Sequence, residues 1–296
     1  MRKKLEITAF VAPALLLYLT FVLLPMGMAA FYGFFKWNGL GPLDDFVGFD
    51  NYRRALADPV FRGAVQHNVT IIVLSILVQL PIGLGLALLL NRKMRGRSIL
   101  RAVLFAPYVL SEVIAAVAWL LILQPGGLAD ALFRAAGLGE DAPLWLANRE
   151  TVLYTLFVVI TWKYIGFAII LFLAGLQAVP KELYEAAEID GAPAWKRIRY
   201  ITIPLLGPTI RIWIFLSIIG SLQLFDLVWI MTLGGPAGAS TTMATYIIDF
   251  GFRRSQFGYG NAVAMILFII SFVVALLYQR FVLRRDTEGA MTRIVG

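Results

Sequence analysis

The chain has 296 residues, 60% of them hydrophobic and 15% charged, with a mean hydropathy of +0.80. A soluble domain carries about 45–50% apolar and about 25% charged residues, and one soluble core cannot hide such an excess because surface must be covered by polar groups. The composition is that of an integral membrane protein and excludes disorder, a disulfide scaffold and collagen; with no cysteine and a single histidine, His67, it also excludes thiol chemistry and Cys/His metal sites.

About 20 apolar residues cross a bilayer core about 30 Å thick. The first candidate span is Ile7 to Phe35, with Pro13 and Pro25 as expected kinks. It follows Arg2, Lys3 and Lys4, but its apolar run exceeds that of a signal peptide, so it reads as an uncleaved span. The stretch Asp50 to Gln66 reads as an interfacial helix with Tyr52, Leu56, Val60 and Phe61 on one face. Gly63 to Leu90, with its core from Val69, is the second span; His67 at its start reads as a polar anchor, and Asn68-Val69-Thr70 as a chance glycosylation match. Ala102 to Leu123, Thr151 to Val179, Pro204 to Leu233 and Ser255 to Gln279 complete a six-span, all-α reading.

Basic residues alternate between the connecting segments. Sixteen fall on the side holding the N-terminus, the loops around Arg92–Arg101 and Lys181–Arg199, and the C-terminal tail; eight fall on the other side. The positive-inside rule places both termini, residues 1–6 and the polar tail at 286–296, in the cytoplasm. Basic inner loops also account for the net charge of +8 without nucleic acid.

The chain has no Gly-x-x-x-x-Gly-Lys-Ser/Thr run to hold ATP phosphates, and no His-Glu-x-x-His, Gly-x-Ser-x-Gly or dinucleotide fingerprint. It reads as a part of a machine without its own covalent catalysis. The most informative stretch runs from Pro180 to Pro204. Pro180 suits a helix start with Glu182 and Glu185 near the positive end, Gly191 suits a left-handed stop, and Pro193 suits the start of a second helix. Trp195, Ile198 and Ile201 recur at three-residue spacing, while Lys196, Arg197 and Arg199 fill the other face. On physics alone such a helix–turn–helix knob either docks into a groove on a soluble partner or lies on lipid headgroups.

Glu185-Ala186-Ala187, Gly191, Ile201 and Pro204 closely match the EAA loop of permease subunits of binding-protein-dependent ABC importers, with Ile203 where the pattern has Leu. The fuller form Tyr-Glu-Ala-Ala-x-x-Asp-Gly-Ala-x-x-Trp, with Asp190 and Trp195, resembles the maltose- and glycerol-3-phosphate-type carbohydrate branch. Phe46 to Tyr52, Phe225-Asp226 with Met231 to Pro236, and Gly258 to Ala262 resemble that branch too. The resemblance implies a type I importer permease fold over 7–285, with residues 180–203 as the coupling loop. It also implies a second homologous permease subunit, two copies of a cytoplasmic ATPase that uses the ATP and Mg, an extracellular sugar-binding protein, and residence in a bacterial plasma membrane. No cofactor is expected on this chain, and an oligosaccharide is the favoured cargo on family grounds.

Ionisable residues inside spans are costly and therefore candidates for function. These are Glu112, Lys163, Asp226 and Arg211, the last placed to snorkel at the inner end of its span. A sugar path needs aromatic faces and hydroxyl partners, which Trp162, Lys163, Gln223, Asp226 and Asn261, with Glu112, would supply. The alternatives are a buried ion pair of Lys163 with Asp226 or Glu112, and contact with the partner subunit. An ion-coupled secondary transporter using Glu112 and Asp226 is the competing function.

Overall fold

The computed structural model describes residues 2–92, 94–138 and 142–283; the tail at 286–296 lies outside them. Among the described residues the fold is helical, with one isolated antiparallel bridge between Phe35 and Phe46. The helices are α1 (2–32), α2 (Asp50–Ala57), α3 (Pro59–Asn91), α4 (Arg97–Val109), α5 (Glu112–Leu123), α6 (Leu128–Ala135) and α7 (Val152–Gln177). They continue with α8 (Lys181–Ile189), α9 (Ala194–Leu205), α10 (Gly207–Leu222), α11 (Asp226–Thr232), α12 (Met243–Phe252) and α13 (Phe257–Leu283). Four stretches, Ala9–Tyr32, α3, α7 and α13, are long and apolar enough to cross a bilayer, and two bent pairs raise the number to six if each pair is one span.

Of the wide, π-type turns among the described residues, three stand just ahead of a proline: Leu19–Leu23, Ser75–Gln79 and Ile198–Thr202. Each ends two residues before a proline, at Pro25, Pro81 and Pro204. A helical proline lacks its N–H and crowds the carbonyl four residues back. In all three cases that carbonyl lies at the centre of the wide turn, where pairing shifts to i+5 and the helix continues. Pro25 therefore lies inside a continuous α1, and Pro13 lies in its regular first part.

The chain divides into two compact units. The first comprises Met1–Arg62 and Tyr246–Ile270. Asn51 donates to the carbonyls of Gly33 and Phe35, both at 2.9 Å, tying α2 to the end of α1. Gly251 and Gly260 let two backbones cross: a Cβ at Gly251 would sit 2.5 Å from the Gly260 Cα. The expected interfacial helix is corrected here. Asp58 breaks it, its Oδ1 accepting from the N–H groups of Val60 and Phe61 at 2.7 and 3.2 Å as the cap of α3. Phe61 is thus buried in the span helix, which starts at Pro59 rather than at Gly63.

The second unit comprises Gly63–Thr245 and the chain from Ser271. Its spine is α7, apolar all round and buried on most faces, as expected of a helix surrounded by others. Ala168, Ile169 and Phe172 pack against Ala87 and Leu90 of α3 and Trp213 of α10, while Leu156, Val159 and Ile160 join a second cluster with α5 and α11. At Gly166 the backbone of Leu104 and Phe105 comes so close that a side chain would collide with it.

Two spans read from the sequence as continuous are broken. The third bends by 98° between α4 and α5. Leu110 and Ser111 are extended, and the Ser111 hydroxyl caps α5 by accepting from Ile114 N–H at 3.2 Å. The fifth is preceded by α9, turns by 64° into α10, and is interrupted again at Gln223–Phe225 before α11. Leu233 stops α11 with φ +51°. The loop that follows is stitched internally, with Ser240 Oγ donating to Gly235 O at 2.6 Å and Thr242 Oγ1 to Leu224 O at 2.8 Å. Asn68 anchors it, fully buried, donating to Ser221 O and accepting from Met243 N–H, and His67 Nδ1 lies 2.8 Å from Thr241 O. Burial of Asn68 agrees with reading its sequon as chance.

Candidate functional site

Two sites emerge, both within the second unit. The first is the elbow formed by α8 and α9. Pro180 caps α8 in an extended conformation and Glu182 lies in its first turn. Its C-terminus closes with a 6→1 bond from Ala192 N–H to Ala187 O at 2.8 Å and a 5→2 bond from Gly191 N–H to Glu188 O at 3.0 Å. That pairing is a Schellman motif, and it requires the left-handed conformation that Gly191 adopts at φ +69°. Pro193 then caps α9. The two arms are held by Tyr184 Oη against Thr202 Oγ1 at 2.9 Å and by an Arg197–Glu188 ion pair at 3.1 Å. Thr202 is buried, so the first contact fixes the elbow angle; the second, at the surface, contributes about 0–1 kcal/mol.

The elbow presents Glu185, Ala186, Asp190, Gly191, Trp195 and Pro204 as exposed residues, with Ala187 and Ile201 half-buried beneath. Ile189 is 87% and Trp195 60% exposed. Large apolar side chains on a turn whose own hydrogen bonds are satisfied suit a partner's groove.

The second site is a cavity of about 280 Å³ between α3, α4, α7 and α10. Tyr108, Tyr164, Phe167 and Trp213 give it aromatic walls; Tyr108 stacks on Phe167 with centroids 5.2 Å apart. Ser75 and Gln79 from α3, and Ser217 and Ser221 from α10, supply neutral polar groups. The break between α4 and α5 shapes one wall. There Lys163, buried on α7, donates to the carbonyls of Pro107 at 3.0 Å, Tyr108 at 2.9 Å and Leu110. These are carbonyls that the bend leaves without helical partners. Next to Lys163, Tyr164 Oη donates to Glu112 Oε1 at the start of α5.

A protein-family model described as binding-protein-dependent transport system inner membrane component matches residues 79–287. A probable ABC transporter permease protein of Pyrococcus horikoshii is 35% identical over 92% of this chain and 94% of its own length. The chain belongs to this family. A further relative, the diacetylchitobiose uptake system permease protein NgcF of Streptomyces coelicolor, is 33% identical over 95% of this chain and 82% of its own. The crystal structure of a bacterial ABC transporter involved in the import of the acidic polysaccharide alginate contains a chain with TM-score 0.84, 24% identity and 96% coverage both ways; it shares the fold.

In this inner-membrane component the residues expected to form a sugar path do not line the cavity. Asn261 belongs to the other unit and donates back to Phe257 O at 2.9 Å. Trp162 faces Trp119, ring centroids 5.5 Å apart, and packs on the cluster around Leu156. Gln223 is the exposed residue capping the C-terminus of α10, and Asp226 opens α11, where its charge complements the helix dipole. None of these four lines the cavity. Lys163 is not the cation of the expected ion pair: its three donors meet three carbonyls, and Glu112 serves Tyr164 instead. Membership of the family sets aside the ion-coupled carrier that would have used Glu112 and Asp226.

The sequence did carry a signal for the cavity. Ser75 and Gln79, and again Ser217 and Ser221, are polar pairs four apart in otherwise apolar helices, which places each pair on one face. Charge drew attention instead to residues that the helix breaks consume.

Proposed function

We propose that this chain is one of two homologous membrane subunits of an ATP-driven sugar importer, with an oligosaccharide as the form of cargo its family favours. Two copies of a cytoplasmic ATPase supply the energy, an extracellular binding protein delivers the sugar, and both termini lie in the cytoplasm. This chain holds neither ATP nor Mg. The observation that carries the reading is the elbow: an EAA sequence on a Schellman-capped turn, with Ile189 and Trp195 uncovered.

In the proposed cycle, ATP binding closes the ATPase pair and presses on α8. Because Tyr184 and Thr202 tie α8 to α9, and α9 leads through Leu206 into α10, the push reaches a helix that walls the cavity. Alternating access then exposes the cavity first to the delivering protein and next to the cytoplasm. Hydrolysis resets the inward-facing state.

Co-purification tests this reading. Glu185→Lys places a cation where the acidic first half of α8 meets its partner. The variant is expected in the membrane at parental levels but without its ATPase and without sugar uptake. Parental ATPase recovery and uptake would refute the proposal.

A further inference from the structure

Importers with this fold take cargo of either charge class, since diacetylchitobiose is neutral and alginate acidic. The cavity distinguishes between them. Its lining includes no charged side chain. Ser75 and Gln79 are buried, and among the described residues no protein group hydrogen-bonds the Gln79 amide or the Ser75 and Ser217 hydroxyls. These residues line the cavity, where a ligand or water can pair with their polar atoms. Amides and hydroxyls donate and accept alike, as sugar hydroxyls do. The aromatic walls suit the apolar faces of pyranose rings.

The nearest buried cation has nothing left to offer. An ammonium has three donors, and Lys163 directs all three at the carbonyls of Pro107, Tyr108 and Leu110. Behind Tyr164 stands the Glu112 carboxylate, whose field opposes an incoming anion. A carboxylate or phosphate entering the cavity would lose its hydration and find neither an arginine fork nor a free ammonium.

We infer that the cavity selects an uncharged saccharide and rejects sugar acids and sugar phosphates. The inference rests on the reading of the chain as a sugar permease and narrows it to one chemical class. Gln79, Ser75 and Ser217 are the residues that impose the choice, by offering neutral donors and acceptors in place of charge.

The test uses the assembled importer, purified with its ATPase and partner permease, without nucleotide. It is titrated with maltose, lactose and trehalose as neutral probes, and with digalacturonate and glucose 6-phosphate as anionic ones. The readout is the fluorescence change that disappears in Trp213→Phe. At least one neutral disaccharide is expected to bind at least ten times more tightly than either anion. Gln79→Lys, and independently Ser217→Lys, should shift that ratio toward digalacturonate at least ten-fold. Equal or tighter binding of an anion by the parent overturns the inference. So does a Trp213 signal that no saccharide moves, while ATPase co-purification reports separately whether the permease reading stands.

Discussion

Replacing Lys163 by Met keeps the length of the stem and removes the ammonium. Three carbonyls at the 98° bend then lose their partner in a buried site. At about 1–3 kcal/mol for each orphaned acceptor the loss is about 3–9 kcal/mol. Relief from burying the ammonium, which costs several kcal/mol, offsets part of this. A net destabilisation of about 2–5 kcal/mol follows. At about 2 °C per kcal/mol, the lower end for domains of this size, the melting temperature should fall by about 4–10 °C. The assay is thermal unfolding of the detergent-purified importer, followed by loss of the monodisperse peak in size-exclusion chromatography. Lys163→Arg, which keeps donors but changes their geometry, should fall between parent and Met. A Met variant melting within 1 °C of the parent would show that the bend does not depend on this pin.

Gly191→Pro cannot adopt φ +69° and deletes the N–H that bonds Glu188 O, so the elbow should open; sugar-stimulated ATP hydrolysis should drop to the unstimulated rate, and stimulation at the parental level would contradict this. Asn68→Leu strips partners from Ser221 O and Met243 N–H, at about 1–3 kcal/mol each. Limited proteolysis should then cut the 233–242 loop several-fold faster than in the parent, and an unchanged cleavage rate would count against the anchoring role. Gly251→Val sets a branched side chain into the Gly260 backbone and should abolish folded protein, read as loss of the monodisperse peak; normal yield would contradict the close crossing.

The sequence made the long apolar helices and the elbow legible for separate reasons. Hydropathy integrates over about 20 residues and so finds α3, α7 and α13. Pro180, Gly191 and Pro193 punctuate the elbow because each admits few backbone conformations. Averaging is also why the break at Leu110–Ser111 escaped notice: a window that is apolar on both sides hides a cap in its middle. Ser111 followed by Glu112 is nonetheless a helix-start signal, and Pro107 stands four residues before it. The wide turns before Pro25, Pro81 and Pro204 have no signature beyond the proline itself. The cavity went unread because it is built from neutral residues at four-residue spacing on separate helices, while the charged residues that stood out are taken up by structure. Lys163 is the plainest case, since its partners are backbone carbonyls that exist as acceptors only because the helix ends there.

The central claim is that the elbow at Pro180–Pro204 touches an ATPase in the cytoplasm. A photo-crosslinking amino acid placed at Ile189, the most exposed apolar position on the elbow, tests it in intact cells carrying the whole importer. The account predicts one dominant adduct, between this chain and its ATPase subunit, that weakens in the Glu185→Lys background. Adducts confined to lipid, or to a protein outside the cell, would contradict it.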